Sequence, residues 1–277
     1  MAVFFNYNGN LLREGTPVAG PASRGLRYGD GLFETMSIRE GAIQFKDLHF
    51  QRLFAGLEVL KFIIPRQFTE LMLEEQIRAL CKKNGLSSDA RIRLMAFRSN
   101  GGLYDPHSFI PDYCIEAFPL DPPGYNSNGL VVDIYRSAYK SCDMLANLKS
   151  NNFLPYAMAA LWAKEQKLND AILLNSFGRI CDTSIANIFM VSNGKLVTPS
   201  LNEGCVAGVM RKWLVQHLPS LGFIIEEREI TLQGLQEADE LFFTNVIKGI
   251  RWVRQCGDKY FTNGLATKIY HALPEIF

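Results

Sequence analysis

Residues 178–211 read GRICDTSIANIFMVSNGKLVTPSLNEGCVAGVMR, and this run contains the most specific structural signals of the chain. In its first half, the acidic residue Asp182 lies in a segment of strand-forming residues, which continues into a predicted hairpin around Asn193-Gly194. Its second half is a glycine-bearing loop that opens a helix near residue 207, and N–H groups at such a helix start bind phosphate well. A carboxylate inside a sheet is costly without a cation or hydrogen-bond donors. The run therefore predicts a β-rich domain with an anion-binding helix start and a carboxylate that needs a cationic partner or hydrogen bonds. A protonated ring nitrogen would serve as the cation.

Around this run, strands and helices alternate irregularly, which favours a mixed, partly closed β-barrel over a regular doubly wound sheet. Strands are predicted at 130–136, 171–175, 185–191, 195–198, 223–227, 240–244 and 252–256, and helices at about 152–167, 207–218 and 265–273. The predicted C-terminal domain spans residues 129–277. A stretch rich in proline and asparagine, 119–128, is the predicted interdomain linker.

The first part of the chain, 1–118, opens with strand-like segments and then changes to helical periodicity. Apolar residues recur about every 3.6 positions over Asp47–Phe62, and a second helix is predicted over Phe68–Asn84, ending at Gly85. Further strands are predicted at 90–97 and 113–118. Strands, two helices and strands in this order predict an N-terminal α+β sandwich.

Composition excludes several functional classes. The 277 residues contain 29 Lys and Arg against 28 Asp and Glu, so the net charge of +1 argues against a dedicated nucleic-acid binder. The six scattered cysteines form no C-x-x-C pair, and no apolar run approaches the ~20 residues that span a bilayer. We therefore expect a cytoplasmic protein without a membrane anchor. The sequence contains no P-loop, no G-x-S-x-G elbow and no clustered His or Cys that would predict a metal site.

Two basic residues, Arg52 and Lys149, are candidates for a functional site, and each could also be an ordinary surface residue. Arg52 lies among the apolar positions of the first predicted helix, where a guanidinium must find an anion or reach solvent. Lys149 comes just before the helix predicted at 152–167, where burial and the positive helix end would disfavour its charged form, as Schiff-base chemistry requires. Taken alone, either segment is also consistent with an ordinary surface side chain.

Six segments together resemble the class IV aminotransferases, the fold-type IV enzymes that use pyridoxal 5′-phosphate. The resemblance covers nearly the whole chain and rests on YGDGLFET (28–35), HFQRL (49–53), NLKSNNFL (147–154), GRICDTSIANIF (178–189), the stretch 197–211 and ADELFFTN (238–245). It implies a two-domain enzyme that binds the cofactor in the C-terminal domain, acts on a small-molecule amino substrate and forms a homodimer.

The resemblance also implies a role for individual residues. Lys149 matches the lysine that forms the Schiff base and transfers protons, and Asp182 matches the carboxylate that keeps the pyridine nitrogen protonated. The positions that match the phosphate site are Arg52, Val209, Met210, Asn245 and Val246. The positions that match the substrate pocket are Tyr28, Phe33 and, as a carboxylate clamp, Arg98. The chain departs from the family pattern at Asp182, where Glu is usual, so the contact to the ring nitrogen needs a shifted backbone, a moved ring or a bridging water.

The family contains aminodeoxychorismate lyases, branched-chain aminotransferases and D-amino-acid aminotransferases. The short chain and the Lys149-x-x-Asn152 spacing resemble the lyases and the D-amino-acid enzymes, and YGDGLFET and FFTNVIKGIRWV resemble the lyases. The resemblance therefore favours a lyase that eliminates pyruvate from 4-amino-4-deoxychorismate and gives 4-aminobenzoate. A transaminase is the alternative, and a protein that binds the cofactor without turnover is a third hypothesis.

Overall fold

The computed structural model describes residues 3–122 and 124–273. The chain divides into two compact units, of which the first comprises Met1–Pro122 and Lys149–Asn152 and the second Pro123–Leu148 and Phe153–Phe277. The sequence predicted a linker at 119–128 but did not predict that residues 149–152 belong to the first unit. Both units combine helices with β-sheets, and the predicted α+β fold class is confirmed.

The first unit is built on an antiparallel six-stranded sheet with strand order β2-β1-β6-β5-β3-β4. Its strands are β1 (Phe4–Tyr7), β2 (Asn10–Arg13), β3 (Gly31–Arg39), β4 (Ala42–Ile43), β5 (Ala90–Phe97) and β6 (Asp112–Phe118). Its helices are α1 (Arg24–Tyr28), α2 (Lys46–Val59) and α3 (Glu70–Asn84).

Four residues of β3 share one face of this sheet, and three of them are apolar. Leu32, Met36 and Ile38 alternate with residues of the opposite face, as the period of two in a strand requires, and they are almost completely buried. Glu34 shares their face and is only 1% exposed. Because α2 packs against β3, an acidic side chain here must find its partners among the residues of that helix.

The second unit contains a mixed nine-stranded sheet. The strand order is β12-β11-β10-β13-β14-β7-β8-β9, with β15 paired to β14, and three pairs are parallel: β11–β12, β14–β7 and β7–β8. The strands are β7 (Leu130–Lys140), β8 (Asp170–Asn175), β9 (Ile180–Thr183), β10 (Asn187–Ser192), β11 (Lys195–Pro199), β12 (Ile225–Arg228), β13 (Glu240–Asn245), β14 (Gly249–Cys256) and β15 (Lys259–Tyr260). The helices are α4 (Leu154–Glu165), α5 (Val209–His217), α6 (Leu232–Glu237) and α7 (Gly264–Ala272).

An irregularity in β7 directs one end of this strand toward the buried part of the unit. Tyr135 lies opposite Leu173 of β8, but Tyr139 lies opposite the next residue, Leu174, so the intervening residues of β7 bulge out of register. Lys140 then pairs with Asn175 and is buried. The bulge therefore determines where the Lys140 side chain lies.

The sequence located most of the elements and missed several short ones. Helix α3 ends at Gly85, whose backbone is left-handed at φ 70°, as predicted. Helix α4 begins at Leu154 rather than near residue 152, and the short helices α1 and α6 were not predicted. Among the described residues, no helix combines the length and the apolar character that crossing a membrane requires.

Candidate active site

In the first unit, Lys149 is held by strand-like pairing with β3. The N–H of Phe33 donates to the Lys149 carbonyl at 2.9 Å, and the N–H of Asn151 donates to the Gly31 carbonyl at 2.9 Å. The Lys149 ammonium lies 4.4 Å from the centre of the Phe33 ring. Because α4 begins only at Leu154 and helix-dipole effects fade within one turn, the predicted influence of a helix start on Lys149 does not apply.

Beside this segment, Glu34 binds both His49 and Arg52 of α2. The Arg52 Nε donates to Glu34 Oε1 at 2.7 Å, Arg52 Nη2 donates to Oε2 at 2.5 Å, and His49 Nδ1 lies 2.7 Å from Oε2. The His49 side chain is fully buried, whereas that of Arg52 is 15% exposed. Arg52 is therefore not an ordinary surface arginine: one edge of its guanidinium is fixed by a buried carboxylate.

The charges of this cluster follow from its burial. Burial alone would raise the pKa of Glu34, but the Arg52 guanidinium and the His49 contact lower the pKa of this carboxyl to about 2. Burial lowers the pKa of His49 against the opposing effect of Glu34, and the nearby charges of Arg52 and Lys149 lower it further. At neutral pH the cluster therefore contains a carboxylate, a guanidinium and a neutral imidazole.

In the second unit, Asp182 of β9 accepts hydrogen bonds from four groups. Its Oδ2 accepts from the Lys140 ammonium at 3.1 Å, the Tyr156 hydroxyl at 2.8 Å and the Val206 N–H at 2.8 Å, and its Oδ1 accepts from the Asn187 amide at 3.0 Å. The side chains of Asp182 and Lys140 are 2% and 7% exposed. The sequence argument was that a buried carboxylate here needs a cation or hydrogen-bond donors, and the structure has both: Lys140 is the cation, and the other three groups are neutral donors.

The hydrogen-bonding capacity of the Lys140 ammonium is fully used. Its ammonium donates to the Ala146 carbonyl at 3.4 Å and to the Gly204 carbonyl as well as to Asp182, so all three of its N–H groups have acceptors. Gly204 has φ 80°, and a Cβ there would overlap the Ser141 carbonyl oxygen. Only glycine fits this turn, whose carbonyl approaches the ammonium.

The start of α5 carries the other predicted feature of this unit. As in any α-helix, the first N–H groups of α5, at Val209 and Met210, have no intrahelical acceptor. The N-cap residue, Gly208, has no side chain that could accept from them. A Cβ on Gly208 would overlap Asn187 Oδ1. The same Asn187 donates to Asp182 and to the Val206 carbonyl at 2.8 Å. One side chain therefore links the buried carboxylate to the helix start.

Asn245 and Val246 lie where β13 ends. The Asn245 side-chain oxygen accepts from the N–H groups of Ile247 and Lys248 at 3.0 and 2.8 Å, which fixes a tight turn. β13 pairs with β10, with Thr244 opposite Asn187. These two predicted phosphate residues therefore follow the strand that borders Asn187, and their contact with a phosphate stays a prediction.

The predicted substrate residues lie in two places of the first unit. The Phe33 ring is buried between the Lys149 ammonium and the Arg93 guanidinium, whose carbon lies 4.2 Å from the ring centre. Tyr28 is 41% exposed at the end of α1. Arg93 was not predicted, although its register opposite Thr35 places it on the sheet face of Phe33.

Arg98 is committed to protein groups in this structure. Its Nη1 donates to both oxygens of Asp30 at 3.0 Å, and its Nη2 donates to the Leu60 carbonyl. Asp30 also accepts from Arg24 at 2.9 Å. A role of Arg98 as a substrate clamp stays a prediction that these contacts do not support.

The family model described as amino-transferase class IV matches residues 31–256. The chain belongs to this family. Membership identifies it as an enzyme of pyridoxal-phosphate chemistry. Over 231 residues it is 29% identical to the aminodeoxychorismate lyase of Vibrio harveyi, covering 82% of this chain and 83% of that protein.

Aminotransferases are similar over comparable lengths. The chain is 26% identical over 260 residues to the branched-chain-amino-acid aminotransferase of Escherichia coli K12, covering 90% of this chain and 83% of that protein. The branched-chain aminotransferase of Thermoproteus uzoniensis, solved with norvaline, has the same fold, with a TM-score of 0.88 at 24% identity over 99% of this chain and 94% of that one. The match to this family confirms the resemblance that the sequence motifs indicated.

The residues present fit pyridoxal phosphate. The first unit supplies a primary amine beside an aromatic ring, at Lys149. The second unit supplies a buried carboxylate, Asp182, and a helix start at Val209 without a side-chain cap. These are the groups that an aldehyde, a ring nitrogen and a phosphate require.

Proposed function

We propose that this class IV enzyme is a lyase that eliminates pyruvate from 4-amino-4-deoxychorismate and releases 4-aminobenzoate, a precursor for folate synthesis. The observation that carries the proposal is the lysine segment, in which Lys149 is held in strand-like pairing against β3. Its Lys149-x-x-Asn152 spacing resembles the lyases and the D-amino-acid aminotransferases, and the segments YGDGLFET and FFTNVIKGIRWV resemble the lyases. Similarity to the Vibrio harveyi lyase at 29% identity supports it.

Each residue has a defined task in this proposal. When bound, pyridoxal phosphate supplies an electron sink that stabilises negative charge on the substrate carbon. Lys149 would hold the cofactor through its amine, and its Nζ would take and return a proton at the substrate carbon. Asp182 faces the pyridine nitrogen, directly or through one water.

The phosphate is assigned to groups on separate elements. Val209 and Met210 donate their N–H groups at the start of α5, and Asn245 and Val246 add the turn after β13. Arg52 adds a guanidinium whose orientation Glu34 fixes. Phe33 and Tyr28 are the proposed walls of the substrate pocket.

A transaminase is the second candidate. Similarity to branched-chain aminotransferases extends over 90% of the chain, and the predicted substrates are then branched-chain or D-amino acids with 2-oxoglutarate. The Arg93 guanidinium beside Phe33 does not decide between the candidates, because aminodeoxychorismate and glutamate both carry two carboxylates. A cofactor-binding protein without turnover is the third.

One assay separates the three. The purified protein is incubated with aminodeoxychorismate alone, and pyruvate release is followed. In parallel, glutamate formation is followed from branched-chain or D-amino acids with 2-oxoglutarate. Pyruvate release without added keto acid supports the lyase. Glutamate formation alone supports the transaminase and overturns the proposal. A visible absorbance band without either product indicates a cofactor binder.

We further propose a homodimer in the cytoplasm. The six cysteines are all free thiols in the structure, which suits a reducing compartment.

A further inference from the structure

Among residues 3–122 and 124–273, Lys140 is the one buried cation in contact with the carboxylate assigned to the cofactor ring. The pair spans 42 residues of sequence and joins the end of β7 to β9. The bulge between Tyr135 and Tyr139 brings Lys140 to this position, and the Gly204 turn closes around its ammonium. Strand β7, strand β9 and the Gly204 turn therefore together hold the Lys140 charge next to Asp182.

The neighbouring titratable groups carry no compensating charge of their own. Burial raises the pKa of Tyr156 and of Cys181 well above their ordinary values, and burial raises the pKa of Cys205 to about 12. All three are therefore neutral at physiological pH. Arg211, which lies near Cys205, is bound to the Glu227 carboxylate at 2.5 Å and to the Pro199 carbonyl. Among the described residues, Lys140 is thus the charge that balances Asp182.

A carboxylate with an adjacent cation attracts a proton less strongly than a carboxylate without one. A lone buried Asp182 would make a ring nitrogen beside it strongly basic, because the anion would have no other cation. With Lys140 at 3.1 Å, the carboxylate and the ammonium together are neutral, and three of the four donors already use Oδ2. The remaining acceptor capacity lies on Oδ1, which accepts from Asn187 and from no other residue in the part of the chain that the structure describes.

We propose that Lys140 sets the proton affinity of the cofactor's ring nitrogen by acting through Asp182. This inference rests on the proposed cofactor site. Lys140 weakens the hold of Asp182 on the ring proton, and thereby adjusts how strong an electron sink the bound ring provides. It also supplies charge balance in the cofactor-free protein, so the site stays folded before the cofactor binds.

The test measures the ring nitrogen directly. Pyridoxal phosphate labelled isotopically at the ring nitrogen is loaded into wild type, Lys140→Met and Lys140→Gln, and the nitrogen chemical shift is recorded by NMR over the pH range of the folded protein. A neighbouring charge shifts a titration by ~1–3 units, so the proton affinity should rise at least about tenfold in both neutral variants. Lys140→Gln keeps amide donors for Asp182 and the Gly204 carbonyl, and it carries the test if Lys140→Met does not fold.

Two controls separate this effect from simple damage. Lys195→Met makes the same change in a surface ion pair, with Glu226 at 2.6 Å, and should leave the ring titration at its wild-type position. Lys140→Arg keeps the charge and should also titrate as wild type does. Coincident titration curves for wild type, Lys140→Met and Lys140→Gln would overturn the inference while leaving the cofactor site intact. A wild-type protein that binds no pyridoxal phosphate would overturn the proposed function itself.

Discussion

Each unit contains a buried carboxylate that forms an ion pair with a basic side chain: Glu34 with Arg52, and Asp182 with Lys140. These two pairs determine which substitutions the protein tolerates. Asp182→Asn would leave the Lys140 ammonium buried without an anion. Removing one partner of a buried pair costs about 3–5 kcal/mol of unfolding free energy. We therefore expect Asp182→Asn to destabilise the cofactor-free protein by roughly that amount, as measured by chemical denaturation.

The double variant Lys140→Met/Asp182→Asn is the matched control for this prediction. It buries no charge and keeps the side-chain volumes nearly unchanged, so most of the lost stability should return. If the single and the double variant unfold at the same denaturant concentration, the two side chains do not form the pair described here.

Glu34 gives the protein a specific sensitivity to acid. Its pKa lies at about 2, below the ordinary value of 4.5, so its contribution to stability is present above about pH 4.5 and is lost as the pH falls toward 2. At about 1.4 kcal/mol per pKa unit, the contribution is at most about 3.5 kcal/mol. Denaturation across this pH range should show a loss of stability in wild type that is reduced in Glu34→Gln. The exposed Glu75→Gln should retain the wild-type profile, and identical profiles for all three proteins would contradict the assignment.

At the scale of elements, the start of α5 depends on the absence of a side chain at Gly208. A Cβ there would overlap Asn187 Oδ1, and Asn187 would have to move away from Asp182. We expect Gly208→Ala to destabilise the protein by about 1–3 kcal/mol, the usual effect of overpacking. Gly234→Ala is the comparison: it lies inside α6 with its nearest contact at 3.4 Å, and Ala is favoured by about 0.5–1 kcal/mol in a helix interior. Equal effects in thermal unfolding would show that the contact with Asn187 does not matter.

The elements also show what sequence could predict. Helix α3 and the β10–β11 hairpin were found because periodicity and turn residues are local signals. The anion at Glu34 and the cation at Lys140 were not found, because each pair joins two separate elements, β3 with α2 and β7 with β9, and such a pair leaves no local signature. The position of Lys149 relative to a helix was wrong for the same reason: its backbone pairs with β3, more than a hundred residues earlier in the chain. The need of Asp182 for a cation was predicted from burial alone, but the partner could be identified only from the structure.

For the whole molecule, the chain leaves the second unit at Lys149 and returns to it at Phe153. The first unit therefore includes a short segment of the later sequence, and that segment contains the proposed cofactor lysine. A deletion confined to residues 1–118 would separate Lys149 from the strand that fixes its backbone. Experiments on the cofactor site consequently require the full chain.

In the full chain, cofactor binding should stabilise the fold through Lys149. A ligand at a hundred times its dissociation constant adds about 2.7 kcal/mol to the free energy of unfolding, so pyridoxal phosphate should raise the melting temperature of wild type. Lys149→Ala keeps the backbone bonds to Phe33 and Gly31, because these involve main-chain atoms only, and its cofactor-free melting temperature should stay near that of wild type. Its cofactor-induced shift should shrink, its visible absorbance should disappear and its turnover should fall by orders of magnitude. The exposed Lys164→Ala in α4 should match wild type in all four measurements, and a Lys149→Ala protein that turned over substrate at the wild-type rate would show that another group holds the cofactor.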